Sequence, residues 1–148
     1  MIHTFKYQNR RAVGRVLGGW MAGTYGRIPE IRGMDAVVPV PLHPRRLRQR
    51  GFNQAEILAH RVCECAGIPL ENALERVRHT QPQWRLSRGK RSNNLARAIR
   101  ASPGVSLRGK NCLLIDDICT TGRTLEECAR ALKSAGAARV CAYVLARD

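Results

Sequence analysis

A chain of 148 residues, 44% of them hydrophobic, is one domain's worth and long enough to bury a sizeable core. Lys and Arg number 26 against 11 Asp and Glu, a formal net charge of +15, so the default partner is anionic, and no small anion by itself occupies basic side chains spread over the whole chain. No stretch approaches the length of a membrane span, the first residues hold no apolar signal core, and the six cysteines contain no C-x-x-C pair, so the expectation is a cytosolic protein without membrane-spanning segments or finger-type zinc spacing.

In residues 9–21 the apolar positions Val13, Val16, Leu17, Trp20 and Met21 recur at helical spacing, with Arg10, Arg11 and Arg15 between them. This predicts an amphipathic helix, either packed on a sheet with a solvated basic face or serving as a basic arm for nucleic acid or a membrane surface. Gly18, Gly19, Gly23 and Gly26 weaken its end, and the span to Gly33 reads as a linker. Residues 34–41 form an apolar run ending in prolines, suited to a buried strand. A basic loop follows over residues 43–51, with Arg45, Arg46, Arg48 and Arg50 crowded together. Like charges so placed repel, and a chain carries them where they are solvated or face an anion. Asn53 with Glu56 has capping-box form and opens a helix that stops at Gly67.

Residues 70–77 offer a short strand, and residues 79–106 a long connection carrying Trp84, Arg85, Arg88, Lys90 and Arg91, whose later part, residues 94–99, reads as a short helix. A connection of this length in a compact domain is a functional loop, a lid or a disordered piece. Residues 113–125 run Leu-Leu-Ile-Asp-Asp-Ile-Cys-Thr-Thr-Gly-Arg-Thr-Leu: an apolar strand, two acids where it is expected to leave the sheet, a small-polar loop and a helix start. Thr124 and Glu127 have capping-box spacing for that helix, and the apolar residues 139–145 form a last strand expected to be covered on both faces. Cys112, Cys128 and Cys141 read as small core residues, and Cys119 as an exposed thiol beside a helix N-terminus. Strands alternating with helices imply an α/β fold with a mostly parallel central sheet flanked by helices, whose ligand lies beyond the carboxyl ends of the strands.

Residues 113–125 suit a phosphorylated sugar. Carboxylates such as Asp116 and Asp117 accept hydrogen bonds from neutral hydroxyls. In residues 119–124 the small side chains of Cys119, Thr120, Thr121 and Gly122, followed by Arg123 and Thr124, let backbone N–H groups and hydroxyls converge on one anion at the positive end of a helix. No G-x-x-x-x-G-K-[ST] run occurs, so a Walker-type nucleotide loop is excluded. The same residues also suit an ordinary strand-to-helix turn.

Taken together, residues 113–125 resemble the ribose-phosphate loop of type I phosphoribosyltransferases. Residues 39–54, with Gln83, Leu86, Ser87, Arg88, Arg91 and Asn94 further on, resemble the ComF family within that superfamily, from about residue 34 to the C-terminus. The resemblance implies a type I phosphoribosyltransferase-like fold over residues 34–148, preceded by a helix and linker over residues 1–33. It also implies phosphoribosyl diphosphate (PRPP) as ligand, Mg²⁺ as cofactor and transfer of the phosphoribosyl group to an acceptor that the sequence leaves unknown. On this reading the 5′-phosphate lies on Cys119, Thr120, Thr121, Gly122, Arg123 and Thr124, and the diphosphate on Arg45, Arg46, Gly51 and Asn53. Asp116 and Asp117 steady the ribose and touch the metal, and Arg88 and Arg91 close over the leaving group. Enzymes of the superfamily that act on 6-oxopurines carry an Asp where Thr120 stands, which disfavours such an acceptor here.

Family members typically begin with a cysteine-rich zinc-binding module. These residues lack it, and residues 1–25 resemble the segment that follows it, so the chain reads as a truncated or naturally short form. The family also points to competence and DNA uptake. A second reading stays open beside catalysis: a non-catalytic PRPP-sensing or single-stranded nucleic-acid-binding module, as a monomer or an oligomer.

Overall fold

The computed structural model describes residues 11–77 and 98–148. Ten elements follow in order. Helix α1 (Arg11–Tyr25) leads through a 3-10 turn (Pro29–Ile31) to strand β1 (Ala36–Pro39). A short helix α2 (Pro44–Arg50) and the longer α3 (Gln54–Ala66) come next, then the short strands β2 (Leu74–Arg76) and β3 (Ile99–Ala101). The chain closes with β4 (Asn111–Cys119), α4 (Arg123–Ser134) and β5 (Arg139–Arg147).

The main sheet has the order β1-β4-β5, and both pairings are parallel. In its central strand β4, Cys112 to Ile115 are buried without a break, as a parallel strand covered on both faces requires. Alternation along β4 divides the interior in two. Cys112 and Leu114 face a core completed by Leu74, Ile99, Leu107, Cys128 and Leu132, whereas Leu113 and Ile115 face one completed by Leu17, Met21, Leu58 and Val62. One face is thus covered by α4 with the β2–β3 hairpin, the other by α1 with α3.

Several expectations are corrected. The amphipathic helix does not fade at its glycines: α1 runs through Gly18, Gly19 and Gly23 to Tyr25. Gly18 lies against α3 so closely that a Cβ built there would stand 2.8 Å from Arg61 Cγ, so the missing side chain is what lets the two helices meet. That close approach turns Leu17 and Met21 inward and leaves Val16 and Trp20, expected in the buried stripe, 53% and 58% exposed. The linker contains the 3-10 turn, anchored by buried Ile31. The basic loop over residues 43–51 is largely the helix α2. His43 caps it by accepting from Arg45 N at 3.2 Å, and Pro44 stands where a helix tolerates proline.

Within residues 70–77, Leu70 bridges to Val37, but β2 itself pairs antiparallel with β3 in a separate two-stranded sheet. Ile99, expected in a short helix, opens β3 because it pairs with Arg76 across the two-stranded sheet. Finally, β5 is an edge strand whose residues are all half-buried or exposed, since no described strand pairs with its outer side. Cys141 on it is only partly buried, in contrast to Cys112 and Cys128.

Candidate phosphoribosyl site

Strands β1 and β4 run side by side, with Pro39 in register with Ile115 and Val40 N donating to Ile115 O at 2.9 Å. The segments after both strands therefore emerge at one edge of the sheet, where an open α/β fold places its ligand. This edge brings together α2 with its arginines and the turn between β4 and α4.

That turn is shorter than the sequence suggests. Strand β4 does not end at the acids: pairing continues through Ile118 with Ala146 to Cys119 with Arg147, and Cys119 O accepts from Asp148 N at 3.0 Å. Only Thr120 to Gly122 lie between the strand and α4, which begins at Arg123. Gly122 is the N-cap, with φ 78° and ψ −11°, a left-handed conformation that costs an L-residue strain and glycine nothing. The expected capping box at Thr124 and Glu127 does not form. Thr124 is already inside the first turn, and Glu127 instead pairs with Arg130 at 3.0 Å.

No side chain caps α4, although Glu126 N closes the first turn onto Gly122 O at 2.9 Å. The first backbone N–H groups of a helix have no partner inside it. Here they open into a shallow cleft lined by Asp116, Ile118 and the whole run from Cys119 to Leu125. An uncapped helix start, flanked by Thr120, Thr121 and Thr124, has the chemistry that suits an anion such as a phosphate.

Consecutive residues of a strand face opposite ways, and this separates the two acids. Asp116 is half-buried and lines the cleft, on the face of the sheet that carries Cys112 and Leu114. Asp117 is 7% exposed and does not line that cleft. Each carboxylate also braces the turn through the next amide: Asp116 Oδ1 accepts from Asp117 N at 2.9 Å and Asp117 Oδ1 from Ile118 N at 2.8 Å. Among the described residues no group of three or more His, Cys, Asp or Glu converges on a point. Asp116 is the one carboxylate among the described residues of the cleft wall, and a single carboxylate would suit a hard cation only if substrate and water supplied most of its oxygen ligands.

On the α2 side, Arg45 is exposed and Arg46 half-buried. Gly51 closes α2 as its C-cap, donating to Leu47 O at 2.7 Å. Asn53 is committed to the fold. Its Oδ1 accepts from Ala55 N at 3.2 Å as the cap of α3, and its Nδ2 donates to Val40 O at 3.0 Å, tying the end of β1 to the start of the helix. Asn53 thus shapes this side of the site through the backbone. Arg88 and Arg91 lie outside the described residues.

The sequence reading missed Arg76. It ends β2, yet its guanidinium lies in electrostatic range of Arg46 and Asp116, and burial followed by the nearby Arg46 charge pushes its pKa below the ordinary arginine value. A signal was present: Leu74 and Arg76 stand two apart in a strand, so they share a face, and Leu74 is a core residue. Cys119 is half-buried rather than open, whereas the fully buried Cys128 has its thiol pushed well up by burial.

Comparison with known proteins agrees with this geometry. Residues 47–148 match the phosphoribosyl transferase domain family. The chain is 32% identical over 152 residues to competence protein F of Haemophilus influenzae, covering 99% of this chain and 66% of that protein. It is 31% identical over 151 residues to the DNA utilization protein YhgH of Escherichia coli, with the same coverage. Competence protein ComFC of Bacillus subtilis is 38% identical over 113 residues, 76% of this chain and 44% of that protein. The chain thus spans about two thirds, or less, of the length of these relatives. Among solved structures, the glutamine PRPP amidotransferase of B. subtilis superposes with a TM-score of 0.60 at 22% identity, over 91% of this chain and 26% of that one. A purine phosphoribosyltransferase from Pyrococcus horikoshii does so with 0.59 at 19%, over 88% and 73%. Likeness at such identity speaks for the fold alone. With the family match over most of the chain and the competence-protein relatives, this chain belongs to the ComF family of proteins with a phosphoribosyl transferase domain.

Proposed function

We propose that this protein binds PRPP with Mg²⁺ at the shared edge of β1 and β4 and transfers the phosphoribosyl group to an acceptor. The observation that carries this reading is the uncapped start of α4, with Gly122 left-handed before it and Asp116 on the wall of the same cleft. A 5′-phosphate on the amides of the first turn leaves the ribose hydroxyls within reach of a carboxylate, the order of groups that PRPP presents. The diphosphate then extends towards α2, where Arg45 and Arg46 supply positive charge as the bond at C1 breaks and negative charge grows on the leaving group. Asp116, on the wall of the cleft, is the side chain we assign to hold Mg²⁺, which when bound would neutralise part of that charge. Arg88 and Arg91 are proposed to complete this closure.

The acceptor is not a 6-oxopurine on this reading, because Thr120 is a poor base where an acid is wanted. The names of the relatives place this family in competence and DNA utilization, and we extend that role to this chain. The net charge of +15 favours a second reading, a PRPP-sensing module that binds single-stranded DNA without turnover.

Calorimetric titration of the full chain with Mg·PRPP, followed by a diphosphate-release assay across an acceptor panel, tests both. Binding that drops at least tenfold in Asp116→Asn, with release in the presence of one acceptor, supports transfer. PRPP binding without release from any acceptor favours the sensing module, and no PRPP binding by the wild-type chain overturns both.

A further inference from the structure

We propose that Arg76 is a positioning residue of this site, a cation built into the β2–β3 hairpin that works with Arg46 to hold the diphosphate end of the ligand above Asp116. The proposal rests on the phosphoribosyl reading and adds to it a third chain segment, remote in sequence from both ligand loops.

Two alternations converge on the same place. Along β2, Glu75 turns to solvent and pairs with Arg100 of β3, while Leu74 and Arg76 take the other face. Leu74 joins the core formed with Cys112, Leu114 and Cys128. Along β4, Asp116 is the next residue on the face that carries Cys112 and Leu114. Arg76 and Asp116 are therefore the first polar residues beyond the rim of one apolar core, each reached by a step of two from a buried leucine. A position needed only for packing would continue the apolar face.

The chain instead places an arginine there, with Nε sealed from solvent and the buried thiol of Cys128 among its neighbours. Burying a guanidinium is costly, and the nearby Asp116 carboxylate offsets only part of that cost. Arg46 of α2 adds a second positive charge within range. The Arg46 charge opposes that of Arg76, and a diphosphate oxygen arriving between the two guanidinia would relieve this repulsion. Arginine suits this place better than lysine, because its planar fork matches phosphate oxygens and stays ionised when partly buried.

The test compares the wild-type chain with Arg76→Met, Arg76→Lys, Arg46→Met and the double Met variant in calorimetric titrations with Mg·PRPP, Mg·diphosphate and ribose 5-phosphate. Arg76→Met is expected to weaken Mg·PRPP and Mg·diphosphate about tenfold while changing ribose 5-phosphate less than about twofold. The double variant should lose less than the product of the two single losses, since both guanidinia serve one anion. Should Arg76→Met fail to fold, Arg76→Lys decides, with a loss of about threefold for diphosphate and none for ribose 5-phosphate. Equal losses for all three ligands mark a merely structural role and overturn the proposal, as does unchanged diphosphate binding. If the wild-type chain binds none of the three, the phosphoribosyl reading falls, and this inference with it.

Discussion

Gly122 and Gly136 both have positive φ, and replacing each with alanine separates a residue kept for the ligand from one kept for the fold. At Gly122, φ is 78° and the nearest heavy atom to a built Cβ is Cys119 Sγ at 4.0 Å. Space is therefore available, and the cost of Gly122→Ala is the left-handed backbone alone, about 1–2 kcal/mol. At Gly136, φ is 99° and a built Cβ stands 3.1 Å from Arg108 Cα and 3.2 Å from Arg108 N. Those atoms cannot swing aside, because Leu107 N donates to Ala135 O at 2.9 Å and Gly109 N to Gly136 O at 3.1 Å. Adding overpacking to the backbone strain gives about 2–5 kcal/mol for Gly136→Ala. For a domain of this size each kcal/mol lowers Tm by about 2–4 °C. Thermal unfolding followed by circular dichroism should thus show a drop of roughly 2–8 °C for Gly122→Ala and a larger one for Gly136→Ala. Ribose 5-phosphate titration should show the reverse order: Gly122→Ala weakens binding at least about tenfold, because relaxing the cap turns the first amides of α4 away from a common anion. A Gly122→Ala protein that binds as the wild type does, or that is less stable than Gly136→Ala, would refute the reasoning.

Four further outcomes follow from the same contacts. Leu114→Ala, at a site 1% exposed on the central strand, should cost about 2–5 kcal/mol in urea denaturation. Tyr143→Phe removes the hydroxyl that donates to Met21 O at 2.9 Å and meets Thr24 Oγ1 at 2.5 Å, so it should cost about 1 kcal/mol and raise hydrogen exchange in α1 before the rest of the chain. Lys110→Met, which breaks a partly exposed pair with Glu71 at 3.1 Å, should cost less than about 1 kcal/mol, and the difference should shrink in high salt. Burial raises the Cys63 thiol from 9.0 to about 11, so the folded chain holds that proton where the unfolded chain releases it. Stability should accordingly be fully present below pH 9 and decline from there towards pH 11, and Cys63→Ser should flatten the decline seen in pH-dependent denaturation.

Much of the fold was legible because it is written in local pattern. The unbroken apolar run before Asp116, the proline-terminated run at residues 36–39 and the helix opened by Asn53 and closed at Gly67 need only periodicity and capping chemistry to be read. The strand-to-helix turn after β4 was legible for the same reason, since small polar residues with a glycine mark such a connection. Pairing partners were not legible. That β2 leaves the parallel sheet to pair with β3, and that β5 is an edge, depends on which strands meet in space. Nor was the exact turn. Whether the helix starts at Arg123 or Thr124 depends on strand pairing continuing to Cys119 through a ladder with β5.

By itself, the sequence determined the α/β class, the small-polar turn after the central strand and the excess of positive charge, because these rest on residue type and spacing within a few positions. Only the tertiary structure decided that Asp116 lines the cleft while Asp117 is buried, that Gly18 brings two helices together at the expense of exposing Trp20, and that Arg76 lies in electrostatic range of Arg46 and Asp116. Those outcomes depend on contacts between segments far apart in the chain, where packing and burial set both the direction of a side chain and the cost of its charge.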